Sequence, residues 1–151
     1  MLELKTDKLT GSAYEEDLAM WYQRQADLLR ARRFDELDLD NLIEELEVAV
    51  GNLRRELNSR LRVLLMHLLK CQFQHDRISG SWRGTLLEQR GEIADLITEN
   101  PSLGPGLMQA AAKVYPRAVH GAATETGLPR AAFPATNPYS RDQLLDFDYM
   151  P

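Results

Sequence analysis

Apolar residues recur every three or four positions along most of this chain, and the longest unbroken run, Leu39 to Phe73, organises the rest. Leu39, Ile43, Leu46, Val50, Leu53, Leu57, Leu61, Leu64 and Leu68 make one stripe, the spacing that stacks side chains on a single helix face. The run has no proline and one glycine, Gly51. At ~1.5 Å per residue it predicts a helix ~50 Å long, more than the width of a small domain. Asp38 or Asp40 is placed to cap its start. Glu44, Glu45 and Glu47 stand toward the end where the helix dipole favours negative charge, and Lys70 stands toward the opposite end.

Shorter periodic segments flank it. Ser12 to Glu15 has capping-box spacing, so a first helix is expected from there, with Leu18, Trp21, Tyr22, Gln25, Leu28 and Leu29 on one face, breaking around Ala31 to Arg33. The short connection through Phe34 and Asp35 makes the first and long helices antiparallel neighbours. The long helix should end near Gln74, and Ser79 or Ser81 should cap a third, apolar at Trp82, Leu86, Ile93, Leu96 and Ile97. Gly91 weakens that helix by ~1 kcal/mol relative to alanine. Asn100-Pro101 reads as the cap and first residue of a fourth helix, carried by Leu107, Ala111, Val114, Tyr115, Ala118 and Ala122 to Gly127. Its apolar phase continues across Pro116, which predicts a kink near Ala112 and not a stop.

From Leu128 the chain becomes proline-rich, and Ser140 to Gln143 is a second capping-box match, predicting a short helix with Leu144 and Leu145. No alternating strand pattern of useful length exists. The reading is all-α: a bundle of four main helices on one central helix at about 39–74, a single domain over 1–151. Residues 1–12 form a flexible start, and 128–151 form a proline-rich tail ending in a short helix.

Helix lengths carry a further consequence. A third helix of ~30 Å running back along the long one reaches little beyond Leu57, which leaves the near half of the stripe covered by the first helix alone. Two helices rarely bury such a stripe. The tail or a second chain should complete it, the second chain being the expectation. Trp21, Gln25, Glu44, Glu45 and Leu46 are the candidate partner-binding residues. The expected function is a non-catalytic helical protein-interaction module, acting on a protein partner or as a homodimer.

Charge and candidate chemistry narrow this picture. A net charge of −5 argues against broad nucleic-acid binding, which draws on neutralised phosphates. Arg54, Arg55, Arg60 and Arg62 make a local basic patch, read as a solvated flank because no aromatics interleave it and Glu56 can pair with Arg60. One cysteine, Cys71, excludes an internal disulfide and suits a reducing cytoplasm. No signal-peptide or membrane-spanning run occurs, so a soluble cytoplasmic protein is expected, without membrane partner.

His67, Cys71 and His75 follow at i, i+4 and i+8, but the outer two are ~12 Å apart along a helix and cannot share one metal ion. No Glu-x-x-His occurs, so the glutamates complement the dipole and do not form a carboxylate-bridged metal site. No nucleophile elbow, phosphate loop or second cysteine points to catalysis. His67, Lys70, Trp82 and Arg83 form a possible polar site, with Arg83 a candidate ion-pair partner for a carboxylate of the first or long helix, and solvent exposure is expected for His120. No cofactor, metal or catalytic residue is expected. The alternative function is a small enzyme or metal-binding bundle using His67 with carboxylates of the long helix.

The blocks YEEDLAMWYQRQADLLRARRFDELDLDNLIEELE, RELNSRLRVLLMHLLKCQFQ, SWRGTLLEQRGEI, ETGLP and NPYSRDQLLD, in this order and spacing, resemble the small helical proteins of domain of unknown function 29, over roughly residues 14–148. The resemblance implies an all-helical fold and a bacterial source, with no established activity, substrate or cofactor. The family's recurring pattern falls on Tyr14, Asp17, Trp21, Gln25, Leu29, Asn41, Glu44, Glu45, Arg60, Leu61, His67, Leu68, Lys70, Trp82, Arg83 and Gln89. At Cys71 this chain departs from it, since family members carry tryptophan there, which counts against a role for the thiol.

Overall fold

The structure, a computed structural model, describes residues 12–151, whose regular structure is all helical with no strand among them. Helices α1 (Ser12–Glu16), α2 (Leu18–Arg30), α3 (Leu39–Phe73), α4 (Gly80–Glu99), α5 (Leu107–Thr126) and α6 (Arg141–Leu145) follow in order. Short 3-10 turns intervene at Phe34–Glu36, His75–Arg77, Pro101–Gly106 and Arg130–Ala132. The start expected to be flexible and the Ser12 side chain of the first capping box lie outside the described residues.

Packing divides the chain into two compact units, one ending at Ala49 and the other Val50–Pro151. In the first, one expected helix is two: the chain extends at Asp17 (φ −147°, ψ 90°), whose carboxylate accepts the Met20 amide at 3.0 Å and starts α2 afresh. At the other end of α2 the Arg33 amide donates to the Leu28 carbonyl at 2.9 Å and the Arg32 amide to Leu29 at 3.1 Å. This paired closure needs a left-handed residue at Arg32, with φ 56°. Asp38 starts α3 in a way the sequence did not suggest. Its carbonyl accepts the Leu42 amide, while its carboxylate takes side-chain donors, Trp21 Nε1 at 3.0 Å and Asn41 Nδ2 at 2.8 Å.

The second unit holds the main core. Leu57, Leu61, Leu64, Leu65, Leu68 and Leu69 of α3 are buried against Leu86, Ile93 and Leu96 of α4 and Leu107, Ala111, Ala118 and Ala122 of α5. Each such leucine contributes ~1.5–3 kcal/mol by leaving water. Cross-helix pairs fix the directions. Trp82 meets Lys70 and Glu92 meets Arg60, so α4 runs antiparallel to α3. Glu125 meets Lys70, and a Cβ added at Gly121 would lie 2.5 Å from Met66 Sδ. Both pairs share an offset of 55 residues, so α5 runs parallel to α3, and Gly121 is the glycine that lets the two approach.

Ser79 caps α4, accepting the Trp82 amide at 3.2 Å. Asn100 does not cap the next helix; its side-chain amide reaches back to the Leu96 carbonyl at 3.2 Å. Pro101–Gly106, with two glycines and Pro105, makes a 3-10 turn, so α5 starts at Leu107 and not at Pro101. From there it is one helix through Pro116 to Gly127, which closes it at φ 75°.

The tail packs within the second unit. Phe133, Tyr139 and Leu144 enter the core, Tyr115 Oη donates to the Pro134 carbonyl at 2.8 Å and Tyr139 Oη to Gln72 at 2.7 Å. The Ser140–Gln143 capping box forms in both directions. What holds α6 in place is Arg90 of α4, 1 % exposed, whose guanidinium donates to the carbonyls of Gln143 at 2.9 Å, Leu144 at 3.1 Å and Tyr149 at 3.0 Å. The Gln143 and Leu144 carbonyls are helix-terminal acceptors with no intrahelical donor, and the Tyr149 carbonyl belongs to the irregular segment after α6.

Two outcomes follow for stability. Replacing Arg32 by glycine removes the left-handed penalty of ~1–2 kcal/mol and returns ~0.5–1 kcal/mol in unfolded-chain entropy. Thermal melting should therefore show a small stabilisation, and a destabilised R32G would contradict the closure described. Arg90→Met strands three carbonyls at a cost of ~1–3 kcal/mol each where they stay dry. Limited proteolysis should then cut after Phe133 in the variant well before it cuts the wild type, and equal resistance would show that Arg90 does not hold the tail.

Candidate functional site

α2 and α3 meet in the first unit through polar groups. Trp21 and Gln25 are 3 % and 5 % exposed; Trp21 donates to Asp38, and Gln25 Oε1 accepts the Asp38 amide at 2.9 Å. Tyr14 Oη donates to Glu45 Oε1 at 2.6 Å and Tyr22 Oη to Glu45 Oε2. Trp21 stacks edge-on against both rings, at 5.0 Å from Tyr14 and 5.4 Å from Tyr22. The carboxylate they share pushes Tyr14 up to about 12 from an ordinary 10, chiefly through that hydrogen bond, and raises Tyr22 for the same reason. The two phenols in turn hold Glu45 below the usual carboxylate range.

This arrangement turns α3 in an unexpected direction. Asp38, Asn41, Leu42 and Glu45 face α2, whereas Leu39, Ile43, Leu46 and Val50 lie roughly a third of a turn away at 100° per residue. Those four are 57, 55, 67 and 48 % exposed, while Leu57, Leu61, Leu64 and Leu68 on the same stripe are at most 3 % exposed. Asp40, Glu44 and Glu47 form an exposed acidic ridge beside the bare segment. On α2, Leu18, Met20, Tyr22 and Leu29 are also exposed. A groove of about 640 Å³ runs along α1 and α2, walled by Met20, Trp21 and Leu28 and rimmed by Glu16, Arg24 and Asp27.

Of the five partner-binding candidates, Glu44 and Leu46 are exposed on α3, whereas Trp21, Gln25 and Glu45 are engaged inside the hairpin. Leu39 and Ile43, exposed beside Leu46, belong to the half of the stripe that helix lengths left incompletely covered, whereas Met20 was not singled out, because the sequence does not say which face of α2 meets α3.

In the second unit, three of the four polar-site candidates gather. Lys70, 5 % exposed, pairs with Glu125 of α5 and lies 4.4 Å from the centre of the Trp82 ring, an attraction worth ~1–2 kcal/mol when desolvated. His67, half-buried one turn earlier, places Nδ1 at 3.0 Å from the Val63 carbonyl, and burial lowers its pKa. Arg83 is exposed and forms no ion pair among the described residues. Glu125 was missed, although a lysine set between Leu69 and Cys71 in an apolar run calls for a buried counter-charge.

The His67, Cys71 and His75 alignment does not form. α3 ends at Phe73, so His75 stands exposed on the following turn, and Cys71 is wholly buried with its thiol pushed up by desolvation. His120 is exposed beside Arg130. Among the described residues no three His, Cys, Asp or Glu side chains gather as a metal site, and no helix is long and apolar enough to cross a membrane.

Compared with known proteins, residues 13–150 match the family model described as Domain of unknown function DUF29. No curated protein and no solved structure matches the chain.

The tyrosine pair gives the hairpin an alkaline signature. Because the folded Tyr14 pKa of about 12 lies above the ordinary 10, the stabilisation is complete below pH 10 and fades as pH rises toward 12, where the unfolded chain releases its proton first. Ultraviolet titration, assigned with Tyr14→Phe, should show this phenol ionising late. Glu45→Gln should return it toward 10, and a Tyr14 that titrates normally in the wild type would contradict the shared hydrogen bond.

Proposed function

The chain belongs to the DUF29 family, and from that premise we propose that it is a non-catalytic protein-interaction module whose docking face is the bare stripe of the α2–α3 hairpin. One observation carries the reading: a single apolar stripe on one continuous helix is fully buried at Leu57–Leu68 and half or more exposed at Leu39–Leu46. Contiguous apolar surface rimmed by charge is characteristic of a protein contact, and large side chains on a helix at i, i+4 and i+7 suit a partner helix.

Charge bears on what docks there. Residues 12–49 carry eleven Asp and Glu against four Lys and Arg, a formal net of −7. Two copies would set these fields against each other, so a partner with a basic amphipathic helix fits the face better than a homodimer. The reading places the protein in a bacterial cytoplasm, where Cys71 stays a reduced thiol. The alternative, an enzyme or metal-binding bundle built on His67, finds no gathered donor set among the described residues.

The test is a double variant, Ile43→Asp with Leu46→Asp. Both positions are exposed, so folding stability should change by only ~0.5 kcal/mol, with circular dichroism unchanged. Capture from native cells should retrieve a stoichiometric partner with the wild-type protein and lose it with the variant. A partner retained by the variant, or none retrieved by either, refutes the docking face. Light scattering that shows a wild-type dimer dispersed by the variant would keep the face and assign it to a second copy.

A further inference from the structure

The parallel register of α3 and α5 carries complementary charge at one end and like charge at the other. The offset that sets Glu125 beside Lys70 also sets Arg117 opposite Arg62 and Lys113 opposite Asn58. At this second place lies a cleft of about 660 Å³ lined by Arg55, Asn58, Ser59 and Arg62 of α3 and Lys113, Val114 and Arg117 of α5. It is continuous through Asn58 and Lys113 with a smaller hollow of about 380 Å³ that adds Arg54. No Asp or Glu lines either, and none of the five cations takes part in an ion pair among the described residues.

This differs from the solvated flank that the sequence suggested. Arg60, the arginine expected to pair with Glu56, does so on another side of α3, at 3.7 Å, and also approaches Glu92 of α4 at 3.5 Å. What remains is a concentration of uncompensated positive charge, drawn from two helices and held in a concavity, in a chain whose net charge is −5. Like charges held opposite each other repel, and a bound anion removes that repulsion.

We infer that this α3–α5 cleft binds a small molecule carrying two or more phosphate groups, with Arg62, Lys113 and Arg117 as the principal ligands. Its volume is that of a small-molecule site. Guanidinium forks suit phosphate oxygens bidentately and Lys113 adds a point charge, while Asn58 and Ser59 supply neutral donors. No aromatic side chain lines the cleft, so the phosphates themselves are the recognised part and a base attached to them adds nothing by stacking. This site is independent of the hairpin face.

Calorimetry with inorganic tripolyphosphate on the full chain tests it. One equivalent should bind, more weakly as salt rises. Arg62→Gln with Arg117→Gln should weaken binding by about tenfold or more, while Arg77→Gln, outside the cleft, should not. In anion-free buffer the double variant should melt no lower than wild type, since it loses repulsion, and it should lose the thermal upshift that tripolyphosphate gives the wild type. Adenosine triphosphate should bind about as tightly as tripolyphosphate. No saturable binding at millimolar concentration, binding indifferent to R62Q/R117Q, or a nucleotide preference of about tenfold or more would each overturn the inference. So would tighter binding of single-stranded oligonucleotides that grows with their length, which would assign the surface to nucleic acid.

Discussion

Lys70 sits between Leu69 and Cys71, both wholly buried, and its own side chain is 6 % exposed, so its ammonium calls for partners within the protein. Glu125 supplies the counter-charge from α5 and the Trp82 face supplies a second attraction from α4. Because those partners come from different helices, satisfying one charge fixes two registers at once: α4 antiparallel and α5 parallel. A hydrophobic core alone tolerates sliding, since one leucine replaces another. A buried cation does not, because moving it by one turn leaves its charge without a partner.

Arg90 applies the same logic to the tail. Its positive charge forms no ion pair among the described residues, although Asp146 is near enough to act on it; three carbonyls in and after α6 accept its hydrogen bonds. A helix of five residues has no independent stability, so α6 exists because its ends are held, by the Ser140–Gln143 box in front and by Arg90 behind.

Much of this was legible. The α3 stripe, the Ser79 cap, the Ser140–Gln143 box, the continuity of α5 across Pro116 and the Gly127 stop each rest on local chemistry, which sequence spacing records directly. Features that depend on which face meets which were not legible. Asp17 interrupts a good helical pattern because its carboxylate finds the Met20 amide, and Trp21 and Gln25 turn inward because Asp38 offers them an acceptor and a donor. The phosphate cleft was hidden for the same reason: Arg62 and Arg117 are ordinary surface residues until a 55-residue offset sets them opposite each other.

That offset also bears on how the chain reaches its fold. Contacts that close short loops form early, whereas distant ones wait until the entropy of the intervening chain has been given up. The hairpin's bonds join residues 13 to 31 positions apart, while those of Lys70 and Arg90 join residues 53 to 59 apart. During synthesis the hairpin emerges first and can close while α5 is still unmade. The second half of α3 then stands with its leucines uncovered until α4 is made, and only partly covered until the last third of the chain follows. Before α4 arrives, Leu57 to Leu68 are as bare as Leu39 to Leu46 are in the finished molecule, and the whole stripe is exposed to unintended association.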